Sequence, residues 1–171
     1  MAIRFRPPFA GSIRSGVRRA RTGSTAVEMA LIAPVFFLLL MGMTEMGLML
    51  GAQQLLESAT FNTSRLAKTG YVANGQTQAQ TVTQILNNEL QSYGTLINTN
   101  NVTMTWTAYN DFALSGAGVG GTNGMGTASQ IVVYTVSYPW KLFTPMLSAI
   151  IGTNGYVTLT SDIVVRNEPY G

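Results

Sequence analysis

The sequence predicts an α+β protein with a long N-terminal membrane-spanning helix, a second amphipathic helix and a small antiparallel sheet of about three strands. Three observations predict it. A run from Met29 to Thr44 carries no charge, and after Glu45 the chain continues uncharged to Leu56. Between Thr77 and Tyr93 apolar residues recur at helical spacing, and beyond Asn101 the period falls to two in three runs rich in threonine, valine and aromatics.

Residues 1–23 are rich in arginine, contain Pro7 and Pro8, and show no sustained apolar period, so they read as a tail. At about 1.5 Å per residue, a helix from Met29 to Leu56 reaches roughly 42 Å, more than a hydrocarbon core of about 30 Å. Arg4, Arg6, Arg14, Arg18, Arg19 and Arg21 all precede it, which predicts a cytoplasmic N-terminus and an external C-terminal bulk. Leu55, Leu56, Ala59, Leu66 and Ala67 carry the helical period onward until Gly70 supplies a stop.

The second helix places Ala79, Val82, Ile85, Leu86, Leu90 and Tyr93 on one face, with Gly94 following. In the first strand Val102, Met104, Trp106 and Ala108 alternate with Thr103, Thr105, Thr107 and Tyr109. Residues 115–128 hold six glycines and no charge, which predicts a loop. A second strand, Gln130 to Tyr138, is expected to end at Pro139; a third, Tyr156 to Arg166, follows the Asn154-Gly155 turn signal. The intervening residues 140–151, WKLFTPMLSAII, are more apolar than a connection requires. They read first as a plug for one end of the core, and second as a docking patch for a neighbouring subunit.

Composition narrows the chemistry. Apolar residues make up 46% of the chain and charged residues 10%, against roughly a quarter charged in an ordinary soluble domain. There is no cysteine and no histidine, which removes thiolate and imidazole ligands and the commonest general base. Carboxylates alone, or a serine with a lysine, would have to carry a reaction, and no close pairing of such groups appears. No enzyme, no metal site and no cofactor is expected. The net charge of +3 resides in the N-terminal arginines; past Gly23 only Arg65, Lys68, Lys141 and Arg166 face all the acids, so nucleic acid is not an expected partner.

The most informative stretch is RRARTGSTAVEMALIAPVFFLLLMG, residues 18–42. It resembles the processing site of prepilins: a basic leader, Gly23, then Glu28 at the mouth of an apolar helix. Gly23 lets the backbone enter a peptidase cleft, and cleavage after it would make Ser24 the new N-terminus. Glu28 would cost on the order of 2 to 3 kcal/mol if left unpaired in the membrane. The partner expected for it is the α-ammonium of Ser24 on a neighbouring subunit; the alternative is contact with water or Arg21 at the headgroups. Pro34 frees the Ala30 carbonyl and predicts a helix kink, although membrane helices tolerate proline. Glu45, roughly 32 Å along the helix from Ser24, is expected to lie solvated at the outer headgroups.

Residues 21–70 as a whole resemble the TadE-like family of minor pseudopilins of the tight-adherence (Flp) pilus machinery. The matching features are Gly23, the Ala26-Val27-Glu28 run, Pro34, the Gly42 to Gly47 stretch containing Glu45, Gln54, Ala59 and the Arg65 to Gly70 ending. Met29 and Met46 depart from the family pattern, in which aromatic residues usually follow the two acids. The resemblance implies a single-pass protein of the bacterial inner membrane with a periplasmic C-terminal domain. Its leader, residues 1–23, would be removed by a prepilin peptidase; residues 24–70 would form the membrane helix and its extension, and residues 71–171 the periplasmic domain. Expected partners are the prepilin peptidase, other pilin or pseudopilin subunits, inner-membrane assembly proteins and the lipid bilayer. Expected functions are pilus biogenesis and surface adherence. Two rival readings remain: a secreted protein cut at Leu50-Gly51-Ala52, and an uncleaved single-pass protein whose periplasmic domain binds a ligand or partner.

Overall fold

The computed structural model describes residues 17–151 and 153–169, with side chains described from Gly23 onward. Residues 1–16 of the expected leader lie outside the described residues. The chain divides into two compact units, Met1–Met41 and Gly42–Gly171. Helix α1 (Val17–Ala67) begins in the first and ends in the second. From Gly23 to Met41 every residue is exposed except the half-buried Ala33. Among the described residues one helix, Gly23–Ala67, is long and apolar enough to cross a membrane.

The second unit is an α+β head. After α1 come α2 (Gln78–Ser92), β1 (Thr103–Tyr109), the short α3 (Phe112–Ala117), β2 (Thr122–Asn123), β3 (Ile131–Lys141), α4 (Pro145–Ile150) and β4 (Tyr156–Arg166). The end of α1 follows from Gly70, whose φ of 72° lies in the left-handed region that closes helices. Helix α2 starts with a capping box: the Thr77 hydroxyl accepts from the Gln80 backbone, and the Gln80 side chain accepts from the Thr77 backbone. Its buried residues are Thr81, Val82, Leu86 and Leu90, so the expected apolar face points inward.

The sheet has four strands in the order β2-β1-β3-β4, all antiparallel. The fourth strand, β2, comes from the glycine-rich segment expected to be a loop, as does the last turn of α3. Two residues are too few to show a period in sequence. What seats β2 is close approach: a Cβ on Gly121 would collide with the Thr107 methyl and lie 2.7 Å from the Tyr109 ring. Strand β3 also runs through Pro139 instead of ending before it. The last β1 pair is Thr103 with Ser137, so Pro139 has a neighbouring strand on one side alone and its missing N–H removes no ladder bond on the other.

Alternation decides which face of the sheet is covered. Val132, Tyr134, Val136, Tyr138 and Trp140 of β3 are buried, and Met104, Trp106 and Ala108 of β1 stand opposite the first three in register. Helices α1 and α2 cover that face. One apolar cluster joins Ala52, Leu56 and Ala59 of α1 to Leu86, Leu90, Val136, Tyr138, Trp140 and Leu159; a second joins Ala67 to Val82, Ala108, Val132 and Tyr134. Helix α1 therefore runs antiparallel to β3 along its length. The outer face is polar, with Thr103, Thr105 and Asp162 exposed and Thr135 donating to Asp162 at 2.5 Å.

Because Ala52, Leu56 and Ala59 complete this core, a division at residue 70 cuts through it. A fragment beginning at Gly42 should show a cooperative thermal transition by circular dichroism, whereas one beginning at Tyr71 should lose it. Leu56 is fully buried, and Leu56→Ala should destabilise the head by about 2–5 kcal/mol in denaturant unfolding.

Candidate functional site

Two acids on α1, similar in sequence setting, have opposite surroundings. In the first unit Gly23, Ser24 and Glu28 are all exposed, and nothing lies within 4 Å of the position a Gly23 Cβ would take. The Ser24 hydroxyl donates to Glu28 Oε1 at 3.1 Å, the one-turn spacing of a helix. The processing and pairing residues expected from sequence thus share one accessible helical turn. Pro34 lies inside α1 and is exposed.

In the second unit, Glu45 is not solvated. It is 2% exposed, and its two carboxylate oxygens accept separate backbone N–H bonds, from Phe143 at 2.5 Å and from Thr144 at 3.0 Å. These donors stand just before α4, where Pro145 occupies the first turn and Thr144 makes no side-chain cap. Helix starts leave N–H groups without intrahelical acceptors, and a carboxylate reaching them across the fold satisfies charge and donors together. The expectation of a water-exposed Glu45 fails because position along the helix axis says nothing about what folds back beside it. The partners are 98 and 99 residues away in sequence.

The connection carrying these donors has two faces. Trp140, Leu142 and Thr144 are buried, and the Trp140 ring meets Phe143 edge-on at 5.6 Å. Phe143, Met146, Ile150 and Ile151 are exposed. The plug reading of residues 140–151 holds for Trp140, Leu142 and Thr144, which close the core, while the exposed residues present an apolar surface. An acid in the otherwise uncharged stretch from Met29 to Leu56, together with an apolar segment containing a proline, was the available signal; nothing in sequence linked the two.

The rest of the head offers little for chemistry. Among the described residues no group of acids could hold a metal, and the ion pair Lys68–Glu168, at 3.3 Å, lies on the surface. A groove of about 790 Å³ is lined by Gln76, Gln80, Gln84, Asn87, Asn88 and Trp106 among others, with no titratable group in its wall.

A helix of membrane-crossing length and apolarity followed by an α+β head is compatible with a single-pass membrane protein. Residues 23–65 match the family model for TadE-like proteins. TadE-like proteins are associated with the tight-adherence pilus. No curated protein and no solved structure shows a significant match to the chain. The matched segment contains both acids and ends inside the head, at Arg65.

Removing the Glu45 carboxylate leaves the part-buried Phe143 and buried Thr144 N–H groups without acceptors, and hydrogen bonds to a charged group are worth about 1.5–3 kcal/mol each. Glu45→Ala should lower the melting temperature of the head by several degrees, and Glu45→Gln by less, since one amide oxygen still accepts from one donor. Amide exchange at Phe143 and Thr144 should accelerate in Glu45→Ala ahead of exchange in β3.

Proposed function

We propose that the chain is a minor pseudopilin of a tight-adherence pilus assembly machine, processed after Gly23 and acting in pilus biogenesis and surface adherence. The observation that supports this best is the exposed turn from Gly23 to Glu28 at the head of an uncharged apolar helix. A peptidase needs an accessible, unhindered backbone, and Gly23 offers one. The protein would lie in the bacterial inner membrane as a single-pass chain, its arginine-rich end cytoplasmic and its α+β head periplasmic. Its partners would be the prepilin peptidase, other pilin or pseudopilin subunits and inner-membrane assembly proteins.

After cleavage, the α-ammonium of Ser24 would stand at the start of the mature helix. Glu28 keeps one oxygen bonded to the Ser24 hydroxyl of its own chain, and a carboxylate has room for further donors, so it can accept the ammonium of a neighbour. In a low-dielectric setting such a pair fixes the axial register of adjacent helices. Pro34, six residues further on, would give the helix a place to bend as subunits pack.

The mature protein recovered from membranes should begin at Ser24, with intact mass reduced by roughly 2.5 kDa, the weight of a leader of ordinary length. Retention of the leader would instead favour an uncleaved single-pass protein whose periplasmic domain binds a partner. Glu28→Gln should leave insertion unchanged and cleavage largely intact, because the scissile bond and its glycine remain. Crosslinking between mature subunits should fall, since breaking one side of a buried pair costs about 3–5 kcal/mol. Crosslinking equal to that of the parent would sink the pairing role.

A further inference from the structure

The exposed apolar face of the β3–β4 connection has a definite place in the fold. Glu45 holds the N–H groups of Phe143 and Thr144, and the Leu147 Cδ1 lies 3.7 Å from the position a Gly42 Cβ would take. Helix α4 therefore lies beside residues 42–45 of α1. Those residues continue, without a break in the helix, the uncharged run that reads as membrane-spanning. A hydrocarbon core of about 30 Å takes about 20 residues of helix; counted from Glu28, the last charge before the run, that span closes near Leu48. Gly42 and Glu45 fall within its outer end.

We propose that residues 143–151 dip into the outer interfacial layer of the bilayer that α1 crosses, making a second membrane contact that sets the height and tilt of the head. The proposal rests on the membrane-spanning reading of α1. Its occupant is lipid, for three reasons of chemistry. Phe143, Met146, Ile150 and Ile151 are about half exposed or more, the last three on or just after one short helix. No charged residue occurs between Lys141 and Asp162, so nothing in the segment resists entry to the headgroup and acyl boundary. Lys141 and Tyr156, paired in register and both exposed, flank the segment as a cation and an aromatic suited to that boundary.

The same geometry accounts for Glu45. A carboxylate at that depth needs donors that do not come from water, and the connection brings its own backbone N–H groups to it. The dipping segment is thus what allows an acid to remain on the helix there. The opposite end of the sheet makes a built-in comparison: Tyr109, just before α3, pairs with Ile131 at the far end of β3 from α4. Phe112 of α3 is as exposed as Phe143, yet it should stand in water.

The chain has no cysteine, so single-cysteine variants of the full protein can carry a fluorescent probe at chosen sites. Probes on I150C, M146C, L38C and F112C would be compared in phosphatidylcholine and phosphatidylglycerol vesicles containing lipids with nitroxides at shallow or deep positions. The proposal expects shallow-nitroxide quenching at I150C and M146C several-fold above that at F112C, with L38C quenched most strongly by the deep nitroxide. Quenching at I150C and M146C no greater than at F112C, with L38C still quenched, overturns the proposal alone. Loss of quenching at L38C as well overturns the membrane reading together with it. Probe-to-probe contact at I150C that persists on dilution into excess lipid assigns the face to a second copy of the chain and also overturns the proposal.

Discussion

The head depends on how one carboxylate is satisfied. Glu45 sits on a helix with no other charge from Met29 to Leu56, and its two oxygens take the backbone donors of Phe143 and Thr144. The bond pair clamps the start of α4 to α1. It also fixes where β3 must end and β4 begin, because Leu142 N–H donates to the Gly155 carbonyl within the same connection. From that clamp β3 runs back along α1, placing Trp140 and Tyr138 near Leu56 and Ala59 and, further on, Val132 and Tyr134 near Ala67. Pairing a buried charge with two fixed donors gives the helix and the sheet a single register, where apolar contact alone would tolerate sliding.

Small side chains on α1 make that close packing possible. Ala52, Ala59, Thr60, Thr63, Ser64 and Ala67 are all buried, and Leu56 is the one large apolar residue among the buried positions of this helix. Thr60 and Ser64 return their hydroxyls to the Leu56 and Phe61 carbonyls, at 2.6 and 2.8 Å, so their polarity is absorbed by the helix itself. Bulk for the core comes instead from the sheet, through Tyr134, Tyr138 and Trp140. A slender helix against a sheet rich in aromatics leaves a thin, two-layer head whose other face, lined with threonine, is open to water.

Glu28 and Glu45 of α1 illustrate how environment divides one chemistry into two uses. Glu28 is exposed and accepts a local bond from Ser24. Glu45 is enclosed, and its capacity is consumed within the chain. An exposed acid at the start of an apolar helix keeps lone pairs open to solvent; an enclosed one farther along is suited to shaping its own head. The TadE-like segment contains both, which ties the anchor and the architecture of the head to the same helix.

Local order was legible in the sequence wherever it is set by neighbours within a turn or a strand. The helix read between Thr77 and Tyr93, with the glycine after it, is found as Gln78–Ser92, because 3.6-residue periodicity is local. The strand from Tyr156 to Arg166 is found with the same bounds, since alternation and the Asn154-Gly155 turn mark both its character and its start. The exposed turn from Gly23 to Glu28 was likewise visible as a motif. Three features were decided by tertiary structure. Strand β2 exists because Gly121 can approach Thr107 and Tyr109, which no local pattern announces. Pro139 remains in β3 because β1 has already ended on that side, a matter of strand lengths in space. Glu45 is buried because a segment nearly a hundred residues later folds back to meet it. Sequence carries the preferences of each residue for its immediate neighbours; which distant backbone groups arrive to satisfy a charge is settled only when the sheet closes on the helix.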